Sequence, residues 1–92
     1  MKKRIECKIT GRVQMVMYRD FAARKARTLL LCGSAQNMED GSVSVVAEGE
    51  ETQLVVFIKK LHQGPILAHV ENVNCVWREP KNEYMNFTIV YK

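Results

Sequence analysis

The order in which the hydrophobic period changes along the chain is the feature that most restricts its fold. Residues 4–10 alternate polar and apolar side chains, which predicts a half-buried strand. From Tyr18 to Leu30 the apolar residues recur every three or four positions, which predicts a helix with one apolar face. The same patterns predict two more strands, a second helix and two final strands, over residues 32–37, 43–49, 50–63, 68–79 and 84–92.

Three local signals support these boundaries. The Asp-Gly pair at residues 40–41 is typical of a tight hairpin turn between the second and third strands. The Gly-Pro pair at residues 64–65 ends the second helix. A break in the alternation between Val70 and Val73 predicts a β-bulge in the fourth strand.

The predicted order is therefore β-α-β-β-α-β with an additional C-terminal edge strand. Two helices on one face of an antiparallel sheet form the ferredoxin-like α/β sandwich, which belongs to the α+β class. A chain of 92 residues is long enough for a single core, so one domain over residues 1–92 is expected. This fold hosts many unrelated activities, and the function has to come from a site.

Composition excludes several classes of protein without naming a partner. The net charge of +4 and the pI near 9.1 permit a phosphate ligand, a nucleic acid or an acidic protein as partner. The basic N-terminal residues lack the apolar segment of a signal peptide. No apolar run is long enough to cross a membrane.

The cysteines give no clear structural framework. Cys7, Cys32 and Cys75 are odd in number and have no CxxC spacing, so neither a full set of disulfides nor a zinc site is indicated. Buried, reduced thiols in a cytoplasmic protein are the expected state. A single bridge between two of the three is the alternative that their number leaves open.

The start of the first helix carries the strongest functional signal. Residues 12–17 contain no Ser, Thr, Asp or Asn, so no side chain before Tyr18 is suited to cap the helix. Arg19 then stands in the first turn, where the helix dipole disfavours a positive charge. Free amides beside a guanidinium are typical of a site for a phosphate or a carboxylate. A water-capped helix with an exposed arginine is the alternative that the residues alone leave open.

Four segments in order resemble the motifs of the acylphosphatase family. They read "GRVQMVMYR", "LLLCGSAQN", "DGSVSVVAEG" and "GP", where the family has G-x-V-Q-G-V-x-F-R, L-G-L-x-G-x-x-x-N, D-G-x-V-x-V-x-x-x-G and G-P. The correspondence runs in register from about Ile9 to Pro65. Several motifs at the right separations make this resemblance far more specific than any one of them.

The resemblance implies hydrolysis of acyl phosphates to a carboxylate and inorganic phosphate, with no metal or organic cofactor. Arg19 matches the catalytic arginine that holds the phosphate oxygens, and Asn37 matches the asparagine that orients the attacking water. The implied substrate-binding residues form one loop, whose backbone amides cradle the phosphoryl group: Gln14, Met15, Val16, Met17, Tyr18 and Arg19. The expected protein is a cytoplasmic monomer that acts on a small-molecule acyl phosphate, without nucleic acid or membrane partners.

Met15 and Leu30 stand where the family pattern has glycine, and Tyr18 stands where it has phenylalanine, which keeps an aromatic ring. If the loop requires a positive φ at Met15, the side chain there costs roughly 1–2 kcal/mol. If the loop requires close approach of its backbone, the methionine crowds the phosphate. Met15 thus supports one alternative function, a catalytically impaired domain that binds an anionic ligand.

A second alternative is an RNA-binding module, because the RNA recognition motif has the same β-α-β-β-α-β order. That module stacks bases on aromatic residues of its third strand, and residues 43–49 contain none. This alternative therefore ranks well behind the first.

Individual residues also have simpler interpretations. Asn37 by itself is typical of a residue that enters a turn and forms local hydrogen bonds. Met15 and Met17 are expected to pack within their loop, and an apolar lip for the acyl group of the substrate is the alternative. His62 and His69 are expected at a helix end and on a strand surface.

Overall fold

The computed structural model describes residues 1–91. Every predicted element is present, although the last strand is shorter than residues 84–92, and Lys92 lies outside the described residues. The elements are β1 (Lys2–Arg12), α1 (Tyr18–Thr28), β2 (Cys32–Asn37), β3 (Val43–Glu50), α2 (Glu51–Gln63), β4 (His69–Arg78) and β5 (Phe87–Val90). No helix within residues 1–91 is long and apolar enough to span a membrane.

The five strands form one sheet in the order β4-β1-β3-β2-β5. The first four strands pair antiparallel, which confirms the ferredoxin-like arrangement and the α+β class. The expectation of an entirely antiparallel sheet is wrong for β5, which pairs parallel to β2 and makes the sheet mixed. The reason is that β4 and β5 lie at opposite edges, so the chain between them crosses the end of the sheet instead of forming a hairpin.

The core lies between the two helices and one face of the sheet. Alternate residues of β1 and β3 are buried, as the period of two predicts. Both helices bury one stripe, including Tyr18 and Ala22 of α1 and Phe57 of α2. The predicted bulge is confirmed in β4, where Glu71 is the extra residue between the partners of Thr10 and Gly11. 

A disulfide joins Cys7 of β1 to Cys75 of β4. The expectation of reduced thiols is therefore wrong for these two residues, and the alternative of one bridge is correct. The pair is 68 residues apart in sequence, and only the register of β1 against β4 places the two cysteines directly opposite each other. Cys32 is a free, half-buried cysteine.

The end of α1 differs from the predicted apolar stripe. The helix ends at Thr28, and Leu30 is 86% exposed with a φ of 60°. The N–H of Leu31 donates to Ala26 O at 2.8 Å, and the N–H of Leu30 donates to Arg27 O at 3.1 Å. These two bonds form a Schellman motif with Leu30 at the left-handed position, where glycine is usual. Leu30 therefore lies outside the buried face because it terminates the helix.

Replacement of Leu30 by glycine is expected to raise the free energy of unfolding by about 1 kcal/mol, because it relieves left-handed strain that exceeds the entropic cost of glycine. Little packing is lost, since the side chain is mostly exposed. Urea denaturation of the oxidised protein measures the change. Leu29→Gly is the matched control: its φ is −89° and its side chain is half-buried, so this variant must be less stable than the wild type.

A buried ion pair holds the connection between β4 and β5 against the polar face of the sheet. Arg4 Nη1 lies 2.8 Å from Glu48 Oε2, and the two residues are 5% and 8% exposed. The Glu48 carboxylate also accepts hydrogen bonds from the backbone N–H groups of Lys81 at 2.9 Å and Asn82 at 3.0 Å. Burial alone would raise the pKa of Glu48, but the bonds from these N–H groups and from Arg4 outweigh it and lower the pKa below its ordinary value of 4.5.

Glu48→Gln is expected to lower the free energy of unfolding by about 2–3 kcal/mol near neutral pH, because it leaves part of a buried charge network uncompensated. The lowered pKa means that the ionised carboxylate stabilises the fold above the ordinary pKa and that this contribution is lost as pH falls through the folded-state pKa. The stability difference between wild type and variant must therefore shrink on acidification. Glu83→Gln is the control: this acid also bonds Arg4 but its side chain is 54% exposed, so under about 1 kcal/mol is expected.

Candidate functional site

The C-terminal ends of β1, β2 and β5 lie at the same end of the sheet, because these three strands run in the same direction. An open cleft of about 480 Å³ lies there beside the first turn of α1. Its lining comes from the loop between β1 and α1, the end of β2 and the end of β5: Val13, Met15, Met17, Tyr18, Arg19, Asp20, Asn37, Ile89 and Tyr91.

The loop before α1 has the backbone geometry of an anion-binding nest. Met15 and Met17 have φ values of 61° and 64°, and the residues on either side of each have negative φ. This alternation turns successive N–H groups towards the same side. Within residues 1–91 no side chain caps α1, and the first intrahelical bond is donated by Phe21, so the amides of the preceding turn are available to a ligand.

The side chain of Gln14 holds this loop in place through two hydrogen bonds. Its Nε2 donates to Met38 O at 2.8 Å and to Ser42 O at 2.9 Å, in the turn between β2 and β3. Asp40 closes that turn by accepting hydrogen bonds from the N–H and the hydroxyl of Ser42. The side chains of Gln14 and Val16 are not part of the cleft lining, and Val16 packs against the core. The cleft lining thus includes neither residue, and a role for their backbone N–H groups stays a prediction.

Arg19 is held at the cleft by β5. Its Nη1 donates to Val90 O at 2.8 Å, and its guanidinium carbon lies 4.8 Å from the ring centroid of Tyr91. One bond to a carbonyl leaves the other donors of the guanidinium for an oxyanion. The neighbouring acid Asp20 is paired with Arg24 at 3.0 Å. The side chain of Arg19 is therefore oriented before any ligand arrives.

Asn37 ends β2 with an unusual side chain. Its Oδ1 is buried and has no hydrogen-bond donor among residues 1–91. An unpaired buried acceptor destabilises a fold by about 1–3 kcal/mol, which makes such atoms rare. Because Asn37 lines the same cleft as Arg19, this oxygen is suited to accept a hydrogen bond from a ligand or a water molecule.

Tyr18 anchors the first turn of α1 through its side chain. The residue is 1% exposed, and its hydroxyl donates to Leu61 O at 2.6 Å. Burial raises the pKa of this hydroxyl well above its ordinary value. The ring thus belongs to the core, and the backbone amide of Tyr18 is the part that belongs to the loop.

Sequence reasoning missed the contribution of β5. Ile89 and Tyr91 line the cleft, and Val90 holds Arg19. The C-terminal strand was predicted, but no sequence pattern indicated which edge of the sheet it joins or that it runs parallel to β2. His62 and His69 are exposed at the end of α2 and the start of β4, as expected.

The comparisons with known proteins agree with this architecture. The profile of the acylphosphatase family matches residues 5–89. An acylphosphatase from Thermus thermophilus is 50% identical over 76 residues, covering 83% of this chain and 86% of the relative. One from Caldanaerobacter subterraneus is 43% identical over 89 residues, covering 97% and 99%. The crystal structure of acylphosphatase from Bacillus subtilis matches with a TM-score of 0.93 at 29% identity, covering 97% of this chain and 99% of that one. The chain therefore belongs to the acylphosphatase family, a family of hydrolases that act on acid anhydrides.

Proposed function

We propose that this protein hydrolyses the carboxyl–phosphate bond of acyl phosphates, with the phosphoryl group bound by the 14–19 loop and Arg19 and the water oriented by Asn37. One observation carries the proposal: Asn37, whose Oδ1 has no donor among residues 1–91, lines the same cleft as the fixed guanidinium of Arg19 and the nest of amides. Hydrolysis of a carboxyl–phosphate bond requires groups that bind the phosphoryl oxygens and a hydrogen-bond acceptor that orients the attacking water. This cleft brings the two together.

The phosphoryl group is bound by partial and full positive charges. The N–H groups of the loop and the positive end of the α1 dipole face the oxygens of the phosphate. Arg19 adds charge-assisted hydrogen bonds from its planar fork. Because the nest and Arg19 are fixed beforehand, they stabilise the charge that spreads over the phosphoryl oxygens during transfer without rearrangement.

The attacking water is oriented by Asn37. Its Oδ1 accepts one hydrogen of the water, which directs an oxygen lone pair towards phosphorus. A P–O bond forms to the water as the bond to the acyl oxygen breaks, and the carboxylate leaves with the electron pair. The proton of the water passes to solvent or to a phosphate oxygen. A carboxylate is a good leaving group, so no general acid, metal or organic cofactor is required in this scheme.

The exposure of Met15 favours turnover over a domain that only binds its ligand. Its side chain is 99% exposed at the mouth of the cleft, so it does not fill the loop, and its φ of 61° keeps the nest geometry. The methionine therefore costs conformational energy at the backbone, while its side chain extends into solvent and not into the loop. Turnover is the function that this arrangement supports best.

The experiment is hydrolysis of benzoyl phosphate in ¹⁸O-labelled water with a metal chelator present, against a control without protein. Attack at phosphorus places the label in inorganic phosphate, whereas attack at the carbonyl carbon places it in benzoate. We expect turnover well above the spontaneous rate and label in phosphate. Label in benzoate contradicts the proposed attack, and turnover no faster than the control contradicts the proposed function.

A further inference from the structure

The mouth of the cleft is lined by apolar side chains that contribute little to the fold. Met15, Met17 and Tyr91 are 99%, 67% and 74% exposed, and all three line the cleft. The expectation that the two methionines pack within their loop is therefore wrong. Ile89 and Val13 continue the apolar lining.

The backbone makes the two methionines harder to explain by folding alone. Both have φ in the left-handed region, which strains any residue with a Cβ. A residue with a strained backbone and an exposed side chain adds no packing energy to the core that would offset the strain. Strained residues of this kind persist where the surroundings fix them for a functional purpose.

The geometry also fixes which part of a substrate reaches these side chains. In the proposed function the phosphoryl end is bound by the loop amides and Arg19, and the ring of Tyr91 lies against the Arg19 guanidinium. The acyl group must then extend from the phosphate towards the mouth of the cleft. There it meets the thioether side chains of Met15 and Met17, which adapt to irregular apolar shapes.

We propose that Met15, Met17 and Tyr91 form an acyl-binding rim that makes this enzyme select acyl phosphates with extended apolar acyl groups over acetyl phosphate. This inference rests on the proposed function and adds the substrate class. Burial of each CH₂ group against the rim contributes up to about fourfold in kcat/KM. The phosphate end is shared by all substrates, so discrimination comes from the rim.

The test compares acetyl, butyryl and hexanoyl phosphate, whose leaving carboxylates are nearly equal in basicity, so that differences report binding of the chain and not leaving-group chemistry. We expect kcat/KM to rise by about tenfold or more from acetyl to hexanoyl phosphate. Met15→Asn, Met17→Asn and Tyr91→Gln replace rim side chains by polar ones, and asparagine tolerates a positive φ.

The readout for each variant is the ratio of kcat/KM for hexanoyl phosphate to that for acetyl phosphate, because a general loss of phosphate binding cancels in the ratio. We expect the ratio to fall severalfold in each rim variant and to stay unchanged in Met85→Asn, an equally exposed methionine outside the cleft. A flat series in the wild type, or a ratio unchanged in all three rim variants, overturns the inference alone. Absence of turnover with all three substrates overturns the proposed function and the inference with it.

Discussion

Arg19→Ala is expected to lower kcat/KM for benzoyl phosphate by roughly 10³-fold. The variant removes the only guanidinium that lines the cleft within residues 1–91, and with it the full positive charge on the phosphoryl oxygens. Loss of one fixed donor in comparable sites reduces rates by about 10²–10³-fold, and loss of a transition-state arginine reduces them by about 10³–10⁵-fold. Phosphate release at saturating and subsaturating substrate measures the effect on kcat and KM.

A conservative variant separates charge from geometry at this position. Arg19→Lys keeps the charge but not the planar fork that bonds Val90 O and lies against Tyr91. We expect kcat/KM of Arg19→Lys to be about tenfold higher than that of Arg19→Ala and still well below that of the wild type. Lys25→Ala is the control on the same helix: its ammonium lies over the ring of Phe21, and neither residue lines the cleft, so its activity must stay within about twofold of wild type. Activity of Arg19→Ala within tenfold of wild type contradicts the role assigned to this residue.

The sequence predicted the parts of this site that depend on local structure. A loop without a capping residue, followed by an arginine in the first helical turn, depends on neighbouring residues only, and Met17 caps α1 with no side-chain bond. The position of Asn37 at the end of β2 likewise follows from a six-residue strand before a turn. The resemblance to a family then supplied the roles of both residues.

The parts that the sequence did not predict depend on contacts between distant segments. Val90 and Tyr91 reach Arg19 because β5 pairs parallel with β2. The hydrophobic pattern of residues 87–90 does not indicate which edge of the sheet this strand joins. The bridge between Cys7 and Cys75 depends on the register of two strands far apart in the chain. Leu30 was misplaced for a different reason: its apolar side chain continued the helical period, but the helix had already ended.

Asn37→Ala is expected to lower kcat by roughly 10²-fold and to change the free energy of unfolding by less than about 1 kcal/mol. The loss of activity follows because the water loses the acceptor that orients it, while inhibition by inorganic phosphate must be unchanged, since Asn37 does not hold the phosphoryl group in the proposed scheme. Stability changes little because no group within residues 1–91 donates to Oδ1, so the variant breaks no hydrogen bond of that oxygen in the fold. Gln36→Ala, whose side chain points to the opposite face of β2, is the control and must leave kcat unchanged. A fold-only role for Asn37 predicts that stability and activity fall together, so a large loss of activity at nearly unchanged stability distinguishes a catalytic asparagine from a structural one.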